Sequence, residues 1–157
     1  MKQGFTIRRA IRADSKQFLK LLTMFAKWEH FEPPDGKAQS RIIEDIFDKK
    51  LANLLVATSD KNLLGYALYF YTYSSFTALP TLYLEDLFVL EDSRQKGLGK
   101  ALFNRCVEEA RKHGCGKMEW AVLTWNQKAM DFYVRRGAKR DDVFVYKLNL
   151  DSVPTQK

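Results

Sequence analysis

One junction restricts the fold more than any other part of the chain. An apolar strand pattern, Leu82 to Leu90, runs into Arg94-Gln95-Lys96-Gly97-Leu98-Gly99, and a helical pattern follows directly. In that helix Leu98, Leu102, Cys106 and Ala110 recur every four residues and form one apolar face, while Gly114 marks its end. A strand, a glycine turn and an amphipathic helix require a layered arrangement in which the helix covers a sheet. The rest of the chain supplies that sheet. Phe5 to Arg9 alternates as a short strand, Leu54 to Thr58 and Leu63 to Tyr73 flank the turn Ser59-Asp60-Lys61-Asn62 as a hairpin, and Lys117 to Leu123 and Val143 to Leu150 read as two further strands.

Three more helices complete the pattern. Phe18, Leu21, Leu22, Phe25 and Trp28 lie on one face of the first, with Asp14 as candidate N-cap. Glu32-Pro33-Pro34-Asp35-Gly36 then breaks the chain, and Ile42, Ile43, Ile46 and Phe47 mark a second helix. Asn126 to Arg136 is a short helix stopped by Gly137. The expected architecture is α/β (α+β), a mixed and mostly antiparallel sheet of six strands flanked by four helices. Residues 1–150 are expected to form one domain and residues 151–157 a fraying tail. No repeat or linker interrupts the 157 residues.

Composition removes several function classes. A 46% hydrophobic share excludes a disordered chain, and two cysteines, Cys106 and Cys115, exclude a disulfide scaffold. No apolar run reaches the roughly 20 residues of a membrane span, and no signal-peptide stretch opens the chain, so a cytoplasmic protein is expected. His30 has no neighbour at metal-ligand spacing, and no metal site is expected. The net charge of +7 is unevenly spread. Between Arg94 and Lys117 seven residues are basic and two acidic, whereas between Trp28 and Asp48 six are acidic and two basic. Two zones of opposite sign suit an anionic cofactor and a cationic substrate, or else two solvated helix faces. A nucleic-acid binder would use the basic zone, but it has no need of two glycines beside an acidic strand.

The glycine turn adds a chemical property. Glycines let the backbone approach a ligand closely, and the first N–H groups of the next helix are unpaired and partly positive. The turn lacks the Gly-Lys-Ser/Thr ending of a phosphate loop and the third glycine of a dinucleotide fingerprint. It reads as a pyrophosphate cradle or as a bare glycine turn.

Arg94-x-x-Gly97-x-Gly99 after Leu84-Glu85-Asp86-Leu87-Phe88-Val89 resembles the acetyl-coenzyme A signature of the GNAT N-acetyltransferase superfamily. Leu82 to Val89, Phe132-Tyr133-Val134-Arg135-Arg136-Gly137-Ala138, Ala26-Lys27-Trp28-Glu29 and Trp125-Asn126 further resemble the spermidine/spermine (diamine) and thialysine N-acetyltransferases, over about residues 5–150.

The resemblance implies roles. Leu87, Phe88 and Val89 would pair with the pantetheine arm of acetyl-coenzyme A. Arg94, Gln95, Lys96, Gly97, Leu98, Gly99 and Lys100 would take its pyrophosphate, and Asn126 and Ala129 would line the cofactor side. Tyr133 matches the general acid and also touches the cofactor, and Glu85 matches the carboxylate beside the substrate amine. Trp28, Glu29, Glu119, Trp120 and Ala121 match substrate-facing positions. The family's members are usually homodimers. The aromatic strand points the same way, because Tyr69, Tyr71 and Tyr73 lie on one face and Tyr66 and Phe70 on the other, more than one core needs.

Elementary chemistry agrees with these roles. An alkylamine has a pKa near that of Lys, about 10.4, so it is bound as an ammonium and must lose a proton before it attacks. A carboxylate such as Glu85 can serve both needs. Adjacent strand positions face opposite ways, so of Glu85 and Asp86 one is a site residue and the other a strand-face charge or cap partner. Periodicity alone puts Trp28 in the apolar stripe; the resemblance puts it at the substrate. Ser74-Ser75-Phe76 departs from the polyamine enzymes, which can carry an acid there. A small diamine or a lysine-like amino acid is therefore expected over spermine. Acetylation of protein N-termini or lysine side chains, and coenzyme A sensing without catalysis, are the competing classes.

Overall fold

The computed structural model describes residues 4–152, and the expected tail lies outside them beyond Ser152. The chain divides into two compact units, one up to Ala121 and one from Val122.

The first unit is a five-stranded sheet with helices on both faces. Its strands are β1 (Thr6–Arg9), β2 (Asn53–Ser59), β3 (Asn62–Ser74), β4 (Leu79–Val89) and β5 (Lys117–Glu119), in spatial order β1-β2-β3-β4-β5. All neighbours are antiparallel except β4 and β5, which run parallel. The helices of this unit are α1 (Ser15–Trp28), α2 (Gly36–Phe47) and α3 (Leu98–Lys112).

Period-two alternation sorts the sheet residues between two cores. Leu54, Val56, Leu63, Tyr66, Leu68 and Phe88 pack with Phe18 and Leu21 of α1 and Ile46 of α2. Within this layer the Tyr66 ring meets Phe18 edge-on at 5.1 Å, and Phe25 sits 5.4 Å from Phe88. Leu55, Ala57, Ala67, Tyr69, Leu82 and Leu84 are buried on the other side of the alternation, where α3 contributes Leu98, Leu102, Phe103, Cys106 and Ala110. Helices on both faces therefore account for the two aromatic faces of β3 without a partner surface. Of the residues in that argument, Tyr73 alone is strongly exposed.

Local chemistry explains the helix ends. Asp35 caps α2 by accepting from Ala38 N at 2.8 Å. Asp14 precedes α1 but does not cap it, because its carboxylate accepts from Ile11 N and from both Arg8 guanidinium nitrogens instead. That ion pair holds the Asp14 carboxyl below the usual range. At the end of α3, Gly114 has φ +71°, Cys115 N donates to Ala110 O and Gly114 N to Arg111 O, the paired bonds of a Schellman stop. Buried Glu109 is clamped by Arg9 of β1 and by Arg105 at 3.0 Å, tying α3 to the sheet edge.

The second unit contains α4 (Gln127–Val134), shorter at both ends than the sequence pattern suggested. Asn126 caps it by accepting from Ala129 N at 3.1 Å. The expected strand Val143–Leu150 does not form. That stretch has no ladder partner among the described residues, and its side chains lie exposed, Phe144 at 89% and Tyr146 at 91%. Strand propensity expresses a fit to a half-buried pleated surface, and without a neighbouring strand it has nothing to act on. The sheet therefore has five strands instead of six, and β5 stops at Glu119 rather than Leu123.

Candidate active site

The pairing of β4 changes along its length. Thr81, Leu82 and Tyr83 pair with Lys117, Met118 and Glu119, but from Leu84 to Val89 β4 is laddered on the β3 side only. Leu87, Phe88 and Val89 thus present one strand edge without a ladder partner among the described residues. Such an edge accepts an extended ligand by strand addition. On its other side Gly65 makes the fit close, since a Cβ there would sit 2.5 Å from Phe88 O.

The register slips where the acids lie. Leu68 pairs with Asp86 and Tyr69 with Leu84, which leaves Glu85 as the extra residue of a bulge. The bulge exposes Glu85, whereas Asp86 turns into the sheet face shared with Tyr66, Leu68 and Phe88. There the Tyr66 hydroxyl donates to Asp86 Oδ2 at 3.1 Å. Burial pushes the Asp86 carboxyl up to about 7; the Tyr66 bond opposes the rise, and Glu85 and Glu29 add to it. Glu29, at the C-cap of α1, is also raised, first by burial and then by Glu85. Three carboxyls from two elements are therefore electrostatically coupled.

Strand alternation makes Asp86 the alternative to Glu85, yet both belong to this cluster. The signal that could have found it is Tyr66, an in-facing hydroxyl within an otherwise apolar alternation.

After β4 the chain passes through Gln95 at φ +63° and Gly97 at φ +84°, and α3 begins. A Cβ at Gly97 would meet nothing within 4 Å, so the left-handed backbone rather than crowding calls for glycine. No side chain caps α3 and its first turn contains no acid. Lys96 precedes that turn and Lys100 lies within it. The residues present fit an anionic group such as a pyrophosphate, which would supply the missing cap. Arg94 Nε donates to Val89 O at 3.0 Å, and its guanidinium lies 5.3 Å over the Trp28 ring. Trp28 also stacks on Phe25, so it ends the apolar stripe and borders the glycine turn at once.

The remaining expected residues divide between the units. Glu119 lies on β5 beside Lys117, Trp120 packs edge-on against Phe103 of α3 at 5.6 Å, and Ala121 is exposed. In the second unit Asn126 and Ala129 are joined by the α4 cap, and Tyr133 lies on α4 with its ring edge-on to Phe132 at 5.1 Å. A recess of about 410 Å³ is lined by Lys16, Leu19, Lys20, Thr23, Met24 and Gln39, none of them acidic. A smaller one of about 250 Å³ lies at the β3–β4 hairpin and β5. No helix among the described residues is long and apolar enough to cross a membrane.

A sheet opened between parallel strands, with a glycine turn feeding a helix N-terminus, defines an acyltransferase class of fold. The family model for the acetyltransferase (GNAT) family matches residues 18–138. The chain belongs to that family. Thialysine N-epsilon-acetyltransferase of Sus scrofa is 30% identical over 142 residues, 85% of this chain and 83% of that protein. L-ornithine N5-acetyltransferase NATA1 of Arabidopsis thaliana is 38% identical over 96 residues, 61% of this chain but only 39% of the plant protein's length. Among solved structures, an acetyltransferase of Trypanosoma brucei superimposes with a TM-score of 0.74 at 22% identity, over 93% of this chain and 99% of the other.

Proposed function

We propose that this protein moves an acetyl group from acetyl-coenzyme A to the primary amine of a small cationic substrate. The observation that carries this reading is the coupled set Glu29, Glu85 and Asp86 beside the open edge of β4. When bound, acetyl-coenzyme A supplies an activated thioester. The chain's own residues do the rest. The unladdered backbone of Leu87–Val89 would align the pantetheine arm, and the α3 N-terminus with Lys96 and Lys100 would hold the pyrophosphate.

Exposed Glu85 attracts the ammonium. Asp86, near neutrality, is better matched than an ordinary carboxylate to accept a proton at physiological pH, directly or through water. Backbone N–H groups at the β4 edge are suited to charge that develops on the acyl oxygen. Tyr133, assigned by the family resemblance, would serve as the proton donor to the thiolate leaving group.

The relatives named for thialysine and ornithine acetylation support an amine acceptor. The deciding experiment is an acetyl-coenzyme A turnover screen over putrescine, spermidine, thialysine, ornithine, lysine and short peptides. Turnover of small amines is expected; activity confined to peptides would replace this reading with protein acetylation.

A further inference from the structure

The open edge of β4 ends at an arginine. Leu90 N donates to Leu64 O at 2.9 Å, so these two residues oppose each other as a hydrogen-bonded pair of the antiparallel ladder. Gly65 opposite Val89 and Ala67 opposite Leu87 are then non-hydrogen-bonded pairs, whose N–H and C=O groups point away from each other. Leu87 and Val89 therefore aim their backbone groups at the edge that lacks a ladder partner, whereas those of Phe88 turn to β3. The short turn Glu91–Ser93 folds the chain back, with Arg94 N donating to Glu91 O at 3.0 Å. It brings the Arg94 side chain to that same edge, where Nε donates to Val89 O at 3.0 Å.

We propose that Arg94 is a positioning residue that closes the edge at Val89, so that the extended arm of an acyl donor enters in a single register. The inference rests on the acetyl-coenzyme A reading and gives Arg94 a task separate from any contact with phosphate.

The side chain is held for this task from two directions. Its guanidinium lies 5.3 Å over Trp28, Trp28 stacks on Phe25, and Phe25 sits 5.4 Å from Phe88, the residue next to Val89. The contacts thus leave β4 at Phe88 and return to it at Val89 O. A planar guanidinium can satisfy the carbonyl and lie over the ring at once. An ammonium is a point donor on a flexible stem and serves one of the two.

Register matters because ladders repeat. Two residues along a strand, about 7 Å, the same pattern of donors and acceptors recurs, and an extended ligand can slip by that interval. A donor displaced toward Arg94 would need Val89 O as an acceptor, and that oxygen already takes a bond from a charged group. With the edge closed, Leu87 N–H, Leu87 C=O and Val89 N–H are what this stretch offers. A slip costs catalysis more than binding. Reacting atoms must come within roughly 3–3.5 Å, so a thioester one ladder repeat out of place is held but inert.

The test uses the full chain. Arg94→Gln and Arg94→Lys are compared with the parent, with circular dichroism to verify folding. Coenzyme A is titrated into each while the backbone amide signals of Leu87 and Val89 are followed by two-dimensional NMR. In parallel, kcat and KM for acetyl-coenzyme A are measured with the best amine of the turnover screen. The parent complex should give one set of amide signals, and both variants doubled or exchange-broadened ones. In both variants kcat should fall by about tenfold, the least that one hydrogen bond to a charged group is worth, because misplaced donor fills the site without reacting. A single set of signals in both variants would overturn the proposal while leaving amine acetylation standing. So would a kcat kept at the parent value with a raised KM, the mark of a lost phosphate contact, or full rescue by Arg94→Lys. A parent that binds no coenzyme A would overturn the cofactor reading and the proposal with it.

Discussion

The hydroxyl of Tyr66 on β3 donates to the carboxylate of Asp86 on β4 at 3.1 Å, inside an otherwise apolar layer. That bond favours the ionised carboxylate and opposes the burial that pushes Asp86 up to about 7. Tyr66→Phe keeps the ring packing and removes the donor, so Asp86 should hold its proton to higher pH. The rising limb of the kcat/KM–pH profile should move alkaline, and activity at pH 6.5 should fall more than at pH 8.5. A limb that stays in place would show that Asp86 does not govern the proton acceptor.

Asp86 should also leave a mark on stability. Its folded pKa lies above the ordinary value of 3.8, so the native state binds the proton more tightly than the unfolded chain. Stability is then lost as pH rises from about 4 to about 7 and stays at the lower level above that. Asp86→Asn cannot ionise and still accepts from Tyr66. Relative to the parent, the variant should therefore gain stability at pH 8 compared with pH 4. The full span is no more than about 4 kcal/mol, since one pKa unit is about 1.4 kcal/mol. Parallel melting curves of both proteins across this pH range would contradict the assignment.

Gly65 leaves no room for a side chain. Its added Cβ would lie 2.5 Å from Phe88 O and 3.1 Å from Val89 Cα, both backbone atoms that cannot swing aside. Gly65→Ala should force β3 and β4 apart at Phe88–Val89 and cost roughly 1–3 kcal/mol, the usual range for overpacking. The same displacement should raise the KM for acetyl-coenzyme A. Denaturant titration and steady-state kinetics measure the two effects, and a variant normal in both would mean that the strands accommodate the methyl group.

Much of this was legible in the residues and some was not. The apolar spacing of Leu98, Leu102, Cys106 and Ala110 fixed α3, and Gly114 its end, because helix period and left-handed glycine are local properties. The glycine turn was legible for the same reason. The lost strand at Val143–Leu150 was not, since alternation states only that a segment could pair, never that a neighbour is present. The bulge at Glu85 was hidden because register depends on two strands at once. That one-residue slip separates exposed Glu85 from half-buried Asp86 and brings both acids into the cluster. The resemblance gives Arg94 as a phosphate ligand; its bonds to Val89 O and over Trp28 are tertiary and leave no trace in the motif.

Tyr133 can be tested without reference to any of this. Tyr133→Phe retains the ring that meets Phe132 and removes the acidic proton. Positioned acid–base groups contribute roughly 10²–10⁴-fold, so kcat should fall by about that factor with the KM for acetyl-coenzyme A little changed. Turnover within a few fold of the parent would transfer the role to water or another group.

The glycine turn gives the most direct test of cofactor binding. Gly97 has φ +84° and open space around its missing side chain, so two substitutions separate backbone strain from charge. Gly97→Ala adds only the left-handed penalty, about 1–2 kcal/mol, and should weaken coenzyme A binding modestly. Gly97→Glu adds the same strain plus a carboxylate at the uncapped, basic start of α3, where it would occupy the anion's place and repel a phosphate. Calorimetry should show measurable binding in the first variant and none in the second, with both folded by circular dichroism. Equal affinity in the two would mean that the pyrophosphate lies elsewhere, and the assignment of residues 94–100 would have to be withdrawn.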